Sequence, residues 1–298
     1  MVALNLWEIV AACPSNGALP RRRYGTLARP AVARYESRMH KPLFLVSAVA
    51  CAVVFSGCST VTHESHEHSA SAQPAMQTPQ HFQKTLTRSV KLDYQLYLPD
   101  GYQKTGDAWP LMLFLHGAGE RGTNVEKVTV HGPPKLVKAG VKLPFIIVSP
   151  QCPTDEAWRD EDLLALLDTL SAKYNVDTNR VYLTGLSMGG YGSWSLGSKF
   201  PERFAAIAPI CGGGDNIRVL LASKQKKASL KSLGVWAFHG ANDNVVPLEE
   251  SQRMTNAFLR AGCAEVKLTV YPQDGHDSWT RAYNEPEIWN WFLAHQRK

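Results

Sequence analysis

Val181-Tyr182-Leu183-Thr184-Gly185-Leu186-Ser187-Met188-Gly189-Gly190 runs from an apolar, β-prone stretch straight into a glycine-flanked serine. The first residues predict a buried strand, and Gly185 and Gly189 let the backbone turn tightly with no side chain crowding the strand or the helix that follows. Such a turn presents a hydroxyl outward at the end of a strand, so Ser187 is the candidate nucleophile. A serine hydroxyl reacts at neutral pH only when a base takes its proton and fixed donors receive the developing oxyanion. The bare G-x-S-x-G pattern also occurs in ordinary glycine-rich turns, so its partners decide the matter.

A nucleophilic serine on this kind of sheet needs an acid and then a histidine further along the chain, each in a loop after a later strand. Val235-Trp236-Ala237-Phe238 predicts a buried strand, and the turn-rich stretch from His239 to Pro247 offers Asp243 as the orienting carboxylate. Val266 to Tyr271 alternates apolar and polar residues with the period of a half-buried strand. The loop after it, Pro272-Gln273-Asp274-Gly275-His276, supplies His276 as the candidate base. Asp215, which follows Gly212-Gly213-Gly214, is the rival acid, whereas Asp274 and Asp277 lie too near His276 along the chain to reach its ring from behind.

Upstream, the fully apolar run Pro110 to Leu115 suits a central parallel strand. His116-Gly117-Ala118-Gly119-Glu120-Arg121-Gly122 follows it. The amides of Ala118 and of Met188, the residue after the nucleophile, are the expected oxyanion donors. The same loop satisfies G-x-G-x-x-G, a dinucleotide fingerprint that requires an immediate helix and an acidic residue roughly twenty positions on. Here the segment is broken at His131-Gly132-Pro133-Pro134 and no Asp or Glu occurs between Glu126 and Asp155. A nicotinamide-dependent oxidoreductase is therefore a secondary alternative. Trp158, Trp279 and Tyr191 sit near the candidate loops and are expected to line a substrate pocket, while Glu120 and Arg121 either shape its rim or pair with one another.

Residues 82–298 alternate strand and helix signals and are enough for one domain. Leu163, Leu166, Leu167, Leu170 and Tyr174 share a helical face, and Met254, Phe258 and Leu259 form a second stripe closed by Gly262. A last helix is predicted from near Asn284, with Pro286 in its first turn and Ile288, Trp289 and Phe292 buried. This alternation predicts an α/β fold with a mainly parallel sheet, helices on both faces and no large lid. Ligands then bind at the carboxyl ends of the strands, where the candidate loops fall. Cys152, Cys211 and Cys263 are scattered across separate elements and read as buried free thiols, and no zinc spacing or cofactor motif with its full context is present.

The apolar run from Leu43 to Phe55 follows Arg38-Met39-His40-Lys41, as a secretory signal would. It ends in Phe55-Ser56-Gly57-Cys58, which resembles a bacterial lipobox with Cys58 as the lipidated residue. Met39 is then the expected start, residues 1–38 a mis-called extension, 39–58 the signal, and 59–81 a tether with His63, His66 and His68. The chain carries a net charge of +6. Seven Lys/Arg against two Glu lie before or at Cys58, so nearly all of that charge sits in the leader and no basic stripe remains for nucleic acid.

Four motifs together carry a resemblance: His116-Gly117-Ala118-Gly119, Gly185-Leu186-Ser187-Met188-Gly189-Gly190, His239-Gly240-Ala241-Asn242-Asp243 with Val246-Pro247, and Gly275-His276-Asp277-Ser278-Trp279. In this register they resemble the α/β-hydrolase superfamily. Within it the chain is similar to compact bacterial carboxylesterases related to phospholipase/carboxylesterase, dienelactone hydrolase and feruloyl-esterase-like proteins. The resemblance implies acyl-enzyme chemistry at Ser187, His276 and Asp243. Together with the lipobox-like leader, the expectation is an exported, membrane-anchored protein of the cell envelope acting on small or carbohydrate-linked acyl esters. A serine peptidase on the same fold and a non-catalytic binding domain are the alternatives.

Overall fold

The computed structural model describes residues 77–297. The leader, Cys58 and the tether up to residue 76 lie outside the described residues, as do the expectations attached to them. The first strand, β1 (Tyr94–Tyr97), precedes β2 (Trp109–Leu115), whose residues from Pro110 onward are buried without interruption. There follow α1 (Gly132–Lys138), β3 (Ile146–Pro150), α2 (Asp160–Lys173), β4 (Val176–Leu186) and α3 (Met188–Lys199). The second half contains β5 (Ala206–Ile210), α4 (Asn216–Gln225), α5 (Lys227–Ser232) and β6 (Gly234–Gly240). It ends with α6 (Leu248–Arg260), β7 (Glu265–Tyr271), α7 (Ser278–Asn284) and α8 (Pro286–Leu293).

The seven strands form one sheet in the order β1-β3-β2-β4-β5-β6-β7. Only β1 runs antiparallel, against β3, and every other pairing is parallel. Side chains of a strand alternate between faces, so β2 divides cleanly: Leu111, Leu113 and Leu115 enter one core, Met112 and Phe114 the other. The first core is covered by α2, α3, α4 and α6 through Leu167, Trp194, Val219 and Phe258. The second is covered by α7 and α8 through Tyr283, Ile288 and Phe292. Burial on both faces is what a parallel sheet requires, and it explains the continuous apolar runs in β2 and β5.

The chain lays β3 on one side of β2 and then returns to lay β4 on the other. Strand order therefore reverses beside β2, which opens a crevice beyond the carboxyl ends of β2 and β4. The loops carrying Ala118 and Ser187 border that crevice.

Some expectations need correction. Pro133 and Pro134 do not simply break the chain: they fill the first turn of α1, where a missing N–H has no cost. Leu259 is 52% exposed, so the buried stripe of α6 is Met254 and Phe258. The last helix starts at Pro286, and Trp291 occupies the buried position while Trp289 is only half-buried. Before it, α7 forms on a cap supplied by Asp277, whose side chain accepts from the Thr280 amide.

Candidate active site

Ser187 stands between the end of β4 and the start of α3 with φ 51° and ψ −116°. A left-handed conformation at a non-glycine residue costs on the order of 1–3 kcal/mol and persists only where the surroundings over-determine it. The bracing comes from β5: the Ser187 amide donates to Ile210 O at 3.0 Å and lies 3.3 Å from Cys211 Sγ. The flanking glycines answer a different need. A Cβ on Gly189 would stand 1.9 Å from Leu115 O, and one on Gly185 would stand 2.4 Å from Gly189 O. Helix α3 is seated directly on the end of β2, and only hydrogen fits between the two backbones.

His276, in the loop after β7, bridges the other two candidates. Its Nε2 is 3.0 Å from Ser187 Oγ, and its Nδ1 is 2.8 Å from Asp243 Oδ2. The Asp243 side chain is fully buried, and its other oxygen accepts from the amides of Val245 and Val246, both at 2.9 Å. Burial pushes the Asp243 carboxyl up, but the hydrogen bond from His276 and the two amides outweigh it and hold the group below its ordinary range. A charged Asp243 fixes the Nδ1–H tautomer of His276 and leaves Nε2 free to accept from Ser187. The rival Asp215 instead caps α4, accepting from the Ile217 amide at 2.9 Å. Asp274 lies 3.8 Å from Arg281, and neither it nor Asp277 reaches the ring.

A second histidine supports this arrangement and was not anticipated as part of it. His239, fully buried at the end of β6, has Nε2 2.9 Å from Val246 O and 3.3 Å from Asp243 Oδ2. Its Nδ1 is 2.7 Å from Ser251 Oγ on α6. The ring thus ties the Asp243 loop to the helix behind it. The only trace in the sequence is a polar residue closing an otherwise apolar strand.

The loop after β2 is held by a third histidine. His116 Nε2 accepts from the Cys152 amide at 3.0 Å, so the ring proton sits on Nδ1, 2.6 Å from Gly117 O. Burial lowers this imidazole to about 4 and keeps it neutral. Trp158 Nε1 donates to His116 O at 3.1 Å, and Arg121 donates to Ala118 O and Glu156 O at 3.0 and 3.1 Å. Arg121 therefore does not pair with Glu120. Ala118 opens a short 3-10 turn, Ala118–Glu120, rather than the helix a dinucleotide fingerprint requires. Met188 is the first residue of α3, and amides in a first helical turn have no intrahelical acceptor.

The three expected pocket residues separate into two groups. Trp158 and Tyr191 border a cleft of about 440 Å³ with Met188, Gly214, Glu250 and Arg253. Trp279 lies elsewhere: its ring stands edge-on to His276 at 5.2 Å and to His131 at 5.3 Å. One donor set has metal-like spacing, since ligand atoms of Cys211, Asp243 and His276 fall within 4.8 Å of one another. Burial pushes the Cys211 thiol far up, and a protonated thiol is a poor ligand, while the carboxylate and imidazole are already bonded to each other.

Residues 77–287 match the model of the dienelactone hydrolase family, well over half of the chain. The chain belongs to the dienelactone hydrolase family. Among related proteins, a bifunctional acetylxylan esterase/xylanase of Neocallimastix patriciarum is 28% identical over 169 residues, 53% of this chain and 22% of that protein. The probable feruloyl esterase C of Aspergillus niger is 25% identical over 196 residues, 63% of this chain and 68% of that protein. Among solved structures, a thermostable esterase superposes with a TM-score of 0.57 at 33% identity, covering 70% of this chain and 60% of that one. The chain thus spans only a fraction of some relatives, about a fifth of the Neocallimastix protein. As a dienelactone hydrolase family member it has the α/β-hydrolase fold, with its parallel sheet and helices on both faces.

Proposed function

We propose that this chain is a serine carboxylic-ester hydrolase acting on small or carbohydrate-linked acyl esters. The observation that carries the proposal is His276, poised 3.0 Å from Ser187 Oγ and 2.8 Å from a buried carboxylate. Ser187 Oγ attacks the ester carbonyl as its proton passes to His276 Nε2. The amides of Ala118 and Met188 receive the oxyanion, and Asp243 stabilises the imidazolium. Collapse breaks the bond to the alcohol oxygen, which takes the proton from His276 and leaves an acyl-serine. Water then gives its proton to His276, attacks the acyl carbon and releases the acid, restoring the Ser187 hydroxyl. Family membership and relatives named as acetylxylan and feruloyl esterases support esters over peptides.

The test is a panel of short acyl and feruloyl esters with the native protein and with Ser187→Ala. Loss of a nucleophile of this kind costs around a million-fold in turnover. An undiminished Ser187→Ala rate refutes the assignment, and cleavage of peptides with none of esters moves it to a peptidase. We further infer export with lipidation at Cys58, supported by the basic residues before the apolar run and by Ser56-Gly57-Cys58. Radiolabelled palmitate should enter the native protein and not Cys58→Ser; equal labelling, or none in either, overturns it.

A further inference from the structure

Glu120 lies on the loop that carries the proposed oxyanion donor Ala118, and its carboxylate is placed unusually. Its side chain is only 12% exposed, yet Oε2 is buried with no hydrogen-bond partner. The nearby His116 does not supply one: its Nδ1 is 3.9 Å away and is engaged with Gly117 O. On the other side, Oε1 is 3.8 Å from His131 Nε2, beyond hydrogen-bond reach. Trp279 Nε1 donates to His131 Nδ1 at 3.3 Å, which places the ring proton of His131 on Nε2, facing the carboxylate. An acceptor and a donor therefore face each other across a gap too wide for a direct bond. A single hydroxyl oxygen about 2.8 Å from each would give its proton to Oε1 and accept from Nε2.

The place of this gap says which part of a substrate reaches it. The alcohol oxygen of an ester takes its proton from His276 Nε2, so the alcohol moiety is bound on the side of the site that His276 occupies. Trp279 packs edge-on against that ring, and His131 packs on Trp279. The cleft bordered by Trp158, Met188 and Tyr191 is a separate surface and is left for the acyl group. His131 is 27% exposed and Glu120 12% exposed, so the pair lies at the edge of the protein surface and is not sealed in the core.

We propose that Glu120 and His131 form a specificity-determining pair that binds a second hydroxyl on the alcohol side of the ester, so that the chain selects esters of polyhydroxylated alcohols such as sugars. The inference rests on the ester-hydrolase reading above. Neither Glu120 nor His131 enters the bond-breaking steps: the pair positions the alcohol through one accepted and one donated hydrogen bond.

Two feruloyl esters test it, 2-hydroxyethyl ferulate and 2-methoxyethyl ferulate, which match in acyl group and inductive effect and differ in one donor. The native protein should favour the hydroxyethyl ester in kcat/KM by about tenfold or more, the scale of one hydrogen bond to a charged group. In Glu120→Ala the ratio should fall to near one whatever the absolute rate, with the shape-conserving Glu120→Gln in between. His131→Phe should lower it as well. Circular dichroism of each variant shows that it has folded. A native ratio near one overturns the inference and leaves the esterase reading standing, as does a full ratio persisting in both Glu120 variants. Failure to cleave either ester, or any other in the panel, removes both.

Discussion

Replacing Asp243 by asparagine changes one atom and reverses the hydrogen bonding of the site. Oδ1 is held by the amides of Val245 and Val246, so an asparagine places its carbonyl oxygen there and its NH₂ toward His276. The opposite orientation would set NH₂ against those two N–H groups and take away the acceptor of both, so it is disfavoured. With NH₂ facing it, His276 Nδ1 must accept, the ring proton moves to Nε2, and Nε2 no longer takes the proton of Ser187 3.0 Å away. The wrong tautomer costs on the order of 10⁴ in kcat, about 5.5 kcal/mol of transition-state stabilisation. The assay is turnover of a short p-nitrophenyl ester near pH 7, with thermal unfolding to show that the fold persists. A kcat within tenfold of the native value would refute the tautomer argument and with it the role of Asp243.

Three further outcomes follow from the packing around the site. His239→Phe leaves Val246 O and Ser251 Oγ without their ring partners; it should lower the unfolding free energy in urea by about 2 kcal/mol and reduce kcat, and unchanged values of both would show that the ring does not anchor the Asp243 loop. Gly189→Ala drives a Cβ to 1.9 Å from Leu115 O, so it should lower stability beyond the usual overpacking cost of about 1–3 kcal/mol, and an unshifted melting temperature would contradict the seating of α3 on β2. His116 is lowered from 6.5 to about 4, so the folded state binds fewer protons than the unfolded one between those values. Its contribution is fully present above pH 6.5 and is lost as pH falls toward 4, on the order of 3 kcal/mol. Urea unfolding at a series of pH values should show that loss in the native protein and a shallower one in His116→Gln; parallel profiles would exclude His116 as the source.

The strands and the three bridged side chains were readable because each depends on local pattern. β2 and β5 are buried on both faces and so are apolar throughout; Ser187, Asp243 and His276 each follow a strand, and a parallel sheet delivers all such loops to one rim. What escaped depends on distance in space. His239 looks like any loop histidine until the end of β6 is set against Ser251 of α6. Leu259 fits the apolar period of α6, yet that part of the helix faces outward. Trp158 and Trp279 look equivalent as aromatic residues near the site, but one is hydrogen-bonded to the end of β2 and the other is fixed between two histidines. Helix α7 is too short for a periodic signal, and its cap, Asp277, sits inside the very motif that contains His276.

The glycine pattern around Ser187 and the strain at that residue are consequences of one packing demand. To bring Ser187 Oγ within 3.0 Å of His276, the turn must hold the serine at φ 51° while α3 starts immediately against the end of β2. Close approach removes the Cβ at Gly185 and Gly189, and the bond from the Ser187 amide to Ile210 O offsets part of the backbone cost. The loop after β2 cannot yield in compensation, because His116 pins it to the Cys152 amide beyond β3. Contacts from β2, β5 and the segment after β3 therefore meet around one hydroxyl. The scaffold itself thus fixes this serine, which is the preorganisation that the proposed hydrolysis calls for and that a flexible loop would not give.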